Sequence, residues 1–270
     1  MMKKLQLLWA KTNRWHRALF IFFIIELKVL PGGQLGFKCN DPALSYPFTG
    51  DTITIKLLLV TTILLPLAVM LIVEKKYHSE REIKPKQQAM CWFKEYLFGV
   101  LLNLIIVQMV KLIVGSPRPH FFDTCSPKEA LTCTGSEFVP RYTCTKAHWL
   151  SESDRSFPSG HTSLAVHTGL FLAYYLRRRT SRPGAPGGRG LQLAQLLCGA
   201  GAALVSVSRL TDRRHHWWDV LAGAAVAAPV LLYTIRSLCG NFECSTSKAA
   251  TEEPTGVTTC VEAPLISTET

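Results

Sequence analysis

WFKEYLFGVLLNLIIVQMVKLIVGSPRP, residues 92–119, is an apolar run that stops in a basic turn bearing two prolines. About twenty mostly apolar residues are enough to cross hydrocarbon as a helix. Five further apolar blocks occur, at 18–30, 53–73, 162–176, 191–207 and 218–239. The first is short and contains Glu26 and Lys28. The second contains Pro66, which transmembrane helices accept more readily than soluble ones. Asn103 and Gln108 in the third are expected to face other helices, and the Gly/Ala-rich fifth suits close helix packing. The pattern predicts an all-α polytopic membrane protein with six spans and both termini on one side. Its expected parts are a basic arm (1–17), a six-helix membrane domain (18–240) and a polar, disordered tail (241–270). The run at 18–30 lacks a small-residue cleavage site and does not read as a signal peptide.

Charge sets the sidedness. The net charge of +11 would suggest nucleic acid in a soluble chain. Here it gathers in the N-terminal arm (Lys3, Lys4, Lys11, Arg14, Arg17) and the second loop (Lys75, Lys76, Arg81, Lys84, Lys86, Lys94). The fourth loop carries Arg177, Arg178, Arg179, Arg182 and Arg189. The positive-inside rule makes these cytosolic and excludes a nucleic-acid partner. The fifth loop breaks the pattern with Arg209, Arg213 and Arg214, so those arginines need another purpose.

Three strings fall on the opposite side: KLIVGSPRP (111–119), SFPSGH (156–161) and SRLTDRRHHWWD (208–219). Each mixes anion ligands with proton-transfer groups. Lys111, Arg118 and Arg209 can clamp phosphoryl oxygens, arginine with a planar fork and lysine as a point charge. Ser159 and the Gly160 N–H open a predicted helix, where anions are favoured. Pro119 and Pro158 stiffen their turns. His161 suits proton donation to a leaving alcohol. His215 and Asp219, four residues apart, would share a helix face, so the carboxylate could fix the imidazole tautomer and leave a nucleophilic nitrogen. Taken singly, each has a plainer reading. Lys111 could snorkel, PSGH could be any helix start, and Trp217 and Trp218 read as an interface belt. His167 reads as a packed polar residue, and His120 stays open. Three spaced patterns on one face of one membrane outweigh those readings.

The spacing resembles the type 2 phosphatidic acid phosphatase superfamily: Lys, six residues, Arg-Pro; then Pro-Ser-Gly-His; then Ser-Arg, five residues, His, three residues, Asp. Ser208 fills the first position of the third motif. FKCNDPALSYPFTGDTIT (37–54) is similar to the first outer loop of the six-span lipid phosphate phosphatases, also called phospholipid phosphatases. The resemblance implies His215 as nucleophile forming a phosphohistidine, Asp219 as its support and His161 as acid and then base. It also implies a phosphate cradle of Lys111, Arg118, Ser159, Gly160 and Arg209. No cofactor is implied, and Asp123, Asp154 and Asp212 show no metal-ligand spacing. Expected substrates are phosphatidate, lysophosphatidate, sphingosine 1-phosphate or ceramide 1-phosphate in the bilayer. The plasma membrane is the expected location, with internal membranes as the other option, and a homo-oligomer is compatible with the family. Two other readings are a polyisoprenyl diphosphate or sugar phosphate phosphatase, and a non-catalytic relative. The chain has no Asn-x-Ser/Thr. Cys39, Cys125, Cys133 and Cys144 lie on the oxidising side and allow two disulfides in three connectivities, with free thiols an even alternative. Cys239 and Cys244 are candidate palmitoylation sites.

Overall fold

The structure, a computed structural model, describes residues 13–27, 31–77, 84–146, 153–180 and 188–243. Six helices carry the architecture: α1 (Arg14–Glu26), α2 (Ile55–Tyr77), α3 (Pro85–Val114), α4 (Gly160–Thr180), α5 (Arg189–Thr211) and α6 (Trp217–Tyr233). A π-helical turn over Thr234–Leu238 continues α6. Among the described residues, strand is confined to a two-residue ribbon, β1 (Phe37–Lys38) antiparallel to β2 (Phe138–Val139). The fold is therefore mostly helical, as expected.

Among the described residues, four helices are long and apolar enough to cross a membrane: α2, α3, α5 and the stretch Trp217–Leu238. This is fewer than the six expected. α1 has 13 residues, or about 20 Å of rise. α4 opens with Gly-His-Thr-Ser and closes with three arginines, which dilute its apolarity. Ion pairs and hydrogen bonds nevertheless show the six helices running alternately up and down. At one end Arg14 of α1 meets Glu95 of α3, Glu74 of α2 meets Arg179 of α4, and Arg178 meets Glu243 beyond α6. At the other end Gln108 of α3 donates to Glu26 of α1, and Arg209 of α5 pairs with Asp51, just before α2. Residues 241–243, at the start of the expected tail, pack on the bundle. Phe242 is buried, with its ring against Trp92, Phe171 and Tyr175.

Two details show how sequence sets the helices. Pro66 lies inside α2 and cannot donate to the carbonyl of Thr62. The phenol of Tyr96 on α3 donates to that carbonyl at 2.9 Å, so it stays satisfied where water is scarce. α3 starts at Pro85, well before the expected 92, because proline suits the first helical position. It ends at Gly115, whose φ of 57° and N–H bond to the Lys111 carbonyl make a left-handed cap. A Cβ there would lie 1.9 Å from the Gly33 carbonyl oxygen, so glycine alone allows the turn that carries Arg118.

The main core is built from Trp92, Phe93, Tyr96, Leu164, Phe171 and Tyr175. A second, smaller core of Phe37, Leu44, Phe121 and Tyr142 lies in a cap made by the first and third connecting loops. Disulfides Cys39–Cys133 and Cys125–Cys144 staple that cap.

Far from the cap, Glu74 is buried and accepts from Tyr175 Oη (2.8 Å), Arg179 Nε (2.9 Å) and Arg179 Nη2 (2.7 Å). The Arg179 guanidinium stacks 4.6 Å from the Trp92 ring centroid. Removing one member of a buried pair strands the other charge. Glu74→Ala is therefore expected to cost about 3–5 kcal/mol. Thermal unfolding in detergent should show a clear fall in Tm, and replacing both Glu74 and Arg179 with methionine should cost less. An unchanged Tm for Glu74→Ala would show that the pair makes no net contribution.

Candidate active site

The three strings converge at the cap end of the bundle on a cleft of about 350 Å³. Lys111, Arg118, Gly160, His161, Arg209 and His215 all line it, together with Asp51, Arg155 and Arg214. Lys111 sits in the last turn of α3 and donates to the Arg155 carbonyl at 2.6 Å. The Arg118 N–H bonds the Ser153 carbonyl (2.9 Å), and the Ser156 N–H bonds the Ser116 carbonyl (3.0 Å), which joins the first string to the second. The Pro119 carbonyl accepts from the Tyr46 N–H of the first loop (3.1 Å), and Pro158 follows a cis peptide.

Ser159 is fully buried and caps α4. Its hydroxyl oxygen accepts from the Thr162 N–H (3.4 Å) and hydroxyl (3.1 Å). Its own N–H donates to the Asp219 carbonyl at 2.9 Å, which joins the second string to the third. A Cβ at Gly223 would lie 2.4 Å from the Ser159 carbonyl oxygen, so this close approach of α6 requires glycine. Gly160 lies against Val107 and Lys111. His161 is half-buried on the cleft wall, and its Nε2 has no hydrogen-bond partner among the described residues.

His215 and Asp219 do not share a helix face as expected. His215 lies in the turn before α6, and His216 is the N-cap, with Asp219 in the third helical position. Asp219 Oδ2 accepts from the His216 N–H (2.9 Å) and from Ser156 Oγ (2.5 Å). It lies 3.7 Å from His215 Nδ1, beyond a hydrogen bond. Ser156 Oγ stands between them, 3.4 Å from the same Nδ1. Burial holds the His215 pKa well below the usual imidazole value. The nearby Asp219 carboxylate opposes that effect, while the charges of Arg118 and Lys111 add to it. The downward shift favours the neutral imidazole, the form that has a nucleophilic lone pair.

Arg209, expected as a phosphate clamp, lines the cleft but is held by protein partners. It is 1% exposed and already engaged. Nη1 pairs with Asp51 Oδ1 (2.7 Å), and Nη2 donates to Asp212 Oδ2 (2.9 Å) and the Ile53 carbonyl (3.1 Å). Ser208 Oγ accepts from Arg209 Nε at 3.2 Å. Arg214, one of the fifth-loop arginines that broke the charge pattern, is buried. Its Nε lies 3.1 Å from Asp51 Oδ1, its guanidinium sits over the Phe48 ring, and Nη1 is 3.5 Å from His120 Nε2. His120 itself bonds Thr124 Oγ1 (3.1 Å). Arg213 stacks on Tyr46 at 4.3 Å. Asp51 and Arg155 were missed by the sequence reading. Asp51 stood within the 37–54 segment, but no spacing tied it to the fifth loop.

The remaining residues fall outside the cleft. His167 is buried between helices, with Nε2 3.3 Å from Thr234 Oγ1, while Trp217 and Trp218 are exposed. Cys239 is fully buried, so it presents no thiol for acylation, and Cys244 lies outside the described residues. Chemically, two imidazoles and several cations facing one small cleft suit a phosphoryl group.

The PAP2 superfamily model matches residues 92–241, a stretch that holds all three strings. The chain belongs to the PAP2 superfamily. It is 27% identical over 267 residues to phospholipid phosphatase homolog 1.2 homolog of Caenorhabditis elegans, covering 90% of this chain and 78% of that protein. It is 32% identical over 213 residues to phospholipid phosphatase 1 of Mus musculus, covering 74% of this chain and 75% of that protein. Phospholipid phosphatase 2 of Mus musculus is 30% identical over 233 residues, with 82% of each chain covered. These relatives place the chain among the lipid phosphate phosphatases of the superfamily. No solved structure matches the chain.

Ser156 is the relay between Asp219 and His215. Ser156→Ala removes the hydroxyl but no charge, and one such hydrogen bond is worth about 1 kcal/mol. The expected result is a fall in kcat of about five- to tenfold with KM unchanged, measured by phosphate release. A rise in KM at constant kcat would instead make Ser156 part of the binding surface.

Proposed function

We propose that the protein is an integral-membrane lipid phosphate phosphatase that works through a phosphohistidine. The observation that carries this reading is that His161 and His215 line one cleft with Lys111, Arg118 and Arg209. The names of the relatives, phospholipid phosphatase and, in Drosophila melanogaster, putative phosphatidate phosphatase, support lipid phosphomonoesters as substrates. Phosphatidate, lysophosphatidate, sphingosine 1-phosphate and ceramide 1-phosphate are the substrates to test.

In the first step a lone pair on the His215 imidazole attacks phosphorus in line. The phosphorus–oxygen bond to the lipid breaks, and His161 gives its proton to the departing alkoxide. Lys111, Arg118 and Arg209 hold the phosphoryl oxygens, with Ser159 and Gly160 shaping the helix start beneath them. Asp219 steadies His215 through Ser156. In the second step water attacks the phosphohistidine while His161 takes its proton, and orthophosphate leaves with His215 restored. The scheme calls for no metal.

Six crossings with the cleft outward fit this reading. The loops before α2, after α3 and between α5 and α6 meet at the cleft, while the basic ends of α2 and α4 lie at the far end of the bundle. The site would then face the extracellular or lumenal side, the former at a plasma membrane.

Purified protein in detergent with EDTA, assayed against a panel of lipid phosphates and isoprenyl diphosphates, tests the reading. The wild type is expected to release phosphate from the monoesters. His215→Ala is expected to be inactive while remaining folded, and to form no alkali-stable phosphoprotein from labelled substrate. An active His215→Ala beside an inactive His216→Ala would move the nucleophile. His161→Ala is expected to slow lipid phosphates by on the order of 10²–10⁴ and aryl phosphates much less, because a phenolate leaves without protonation. Equal losses on both would remove His161 from the acid role.

A further inference from the structure

Below the cleft, α2, α4 and α5 enclose an apolar groove of about 290 Å³. Ile53, Leu57, Thr61 and Leu65 form one wall, Ala165, Gly169 and Leu172 another, and Cys198, Gly201 and Val205 a third. The groove continues the cleft in register. On α4, residues 161, 165, 169 and 172 fall on one helical stripe, so the same face carries His161 at the top and groove wall beneath it. On α5, residues 209, 205, 201 and 198 do the same below Arg209. The first wall joins the cleft through Ile53, which lines the groove and whose carbonyl accepts from Arg209.

We propose that this groove seats one acyl or alkyl chain of the substrate, as a binding subsite that rests on the lipid phosphatase reading above. From residue 209 to residue 198 the stripe spans about 16 Å, room for a medium-length chain hanging from a headgroup held in the cleft. The lining is apolar apart from threonines, whose hydroxyls can turn to the helix backbone. Thr61 Oγ1 donates to the Leu57 and Leu58 carbonyls. A tail that leaves bilayer for groove gains no hydrophobic free energy, since lipid is as apolar as leucine. The groove therefore acts through packing and orientation: a seated tail fixes the phosphate against His161 and His215.

The glycines of α5 make the test. A Cβ at Gly201 or at Gly199 meets nothing within 4 Å, so both positions have room for a side chain. Only Gly201 lines the groove. Gly201→Phe, Gly199→Phe and, on the facing wall, Thr61→Trp would be assayed in micelles with palmitoyl and hexanoyl lysophosphatidate. Gly201→Phe and Thr61→Trp are expected to lower kcat/KM for the palmitoyl substrate by about ten- to a hundredfold. The hexanoyl substrate should change less than threefold, and Gly199→Phe should match wild type on both. Equal losses on the two chains, no loss in either groove variant, or a matching loss in Gly199→Phe would overturn the subsite. Failure of the wild type on both substrates would instead overturn the lipid phosphatase reading.

Discussion

A buried carboxylate governs the geometry of the cleft. Asp219 is inaccessible to solvent and is placed by the N-terminal cap of α6. Its side chain accepts from the His216 N–H and the Ser156 hydroxyl, while its carbonyl accepts from the Ser159 N–H. Two strings from different helices are thereby locked to a third residue. Unpairing such a group would leave a charge in a low-dielectric interior, which costs several kcal/mol. The His215 turn has little freedom to depart from this frame. Its N–H and that of Arg214 both bond the Arg209 carbonyl.

Much of this was legible in the sequence. Apolar blocks announced helices because hydrocarbon demands them, and five of the six blocks overlap long helices closely. The sixth, α1, starts at Arg14, inside the segment expected to be an arm, because Asn13 caps it and Arg14 finds Glu95. The motif spacings delivered Lys111, Arg118, Gly160, His161, Arg209 and His215 to one cleft, since each string ends or begins a helix at the same level. The fine roles were harder to read. Helical periodicity suggested a shared face for His215 and Asp219, but a cap intervenes between them. Arg214 had no purpose legible in sequence, because its partners Phe48 and Asp51 belong to the distant first loop. Asp51 carried no periodic or spacing signal, because its partners lie more than a hundred residues away across a loop closure.

The cap contributes shape to the cleft as well as cover. The Cys39–Cys133 disulfide and the ring cluster of Phe37, Phe121 and Tyr142 fix the first loop against the third, and Cys125–Cys144 braces the third loop itself. The first loop then continues through Phe48, over which Arg214 lies, to Asp51 and Thr52. Thr52 is itself held to Asp212 through its N–H (2.8 Å) and hydroxyl (2.6 Å). A segment outside the matched family stretch of 92–241 thus supplies a wall of the cleft.

Asp51 has a further consequence for turnover. A single Asp51 carboxylate oxygen meets both Arg209 and Arg214, so the cationic cleft already holds an internal anion. On the proposed route the arriving phosphate must compete with that anion, which sets a lower limit on how weakly charged a successful ligand can be. The same competition runs in reverse at the end of the cycle. On that route Asp51 stands beside the guanidinium groups that departing orthophosphate would release.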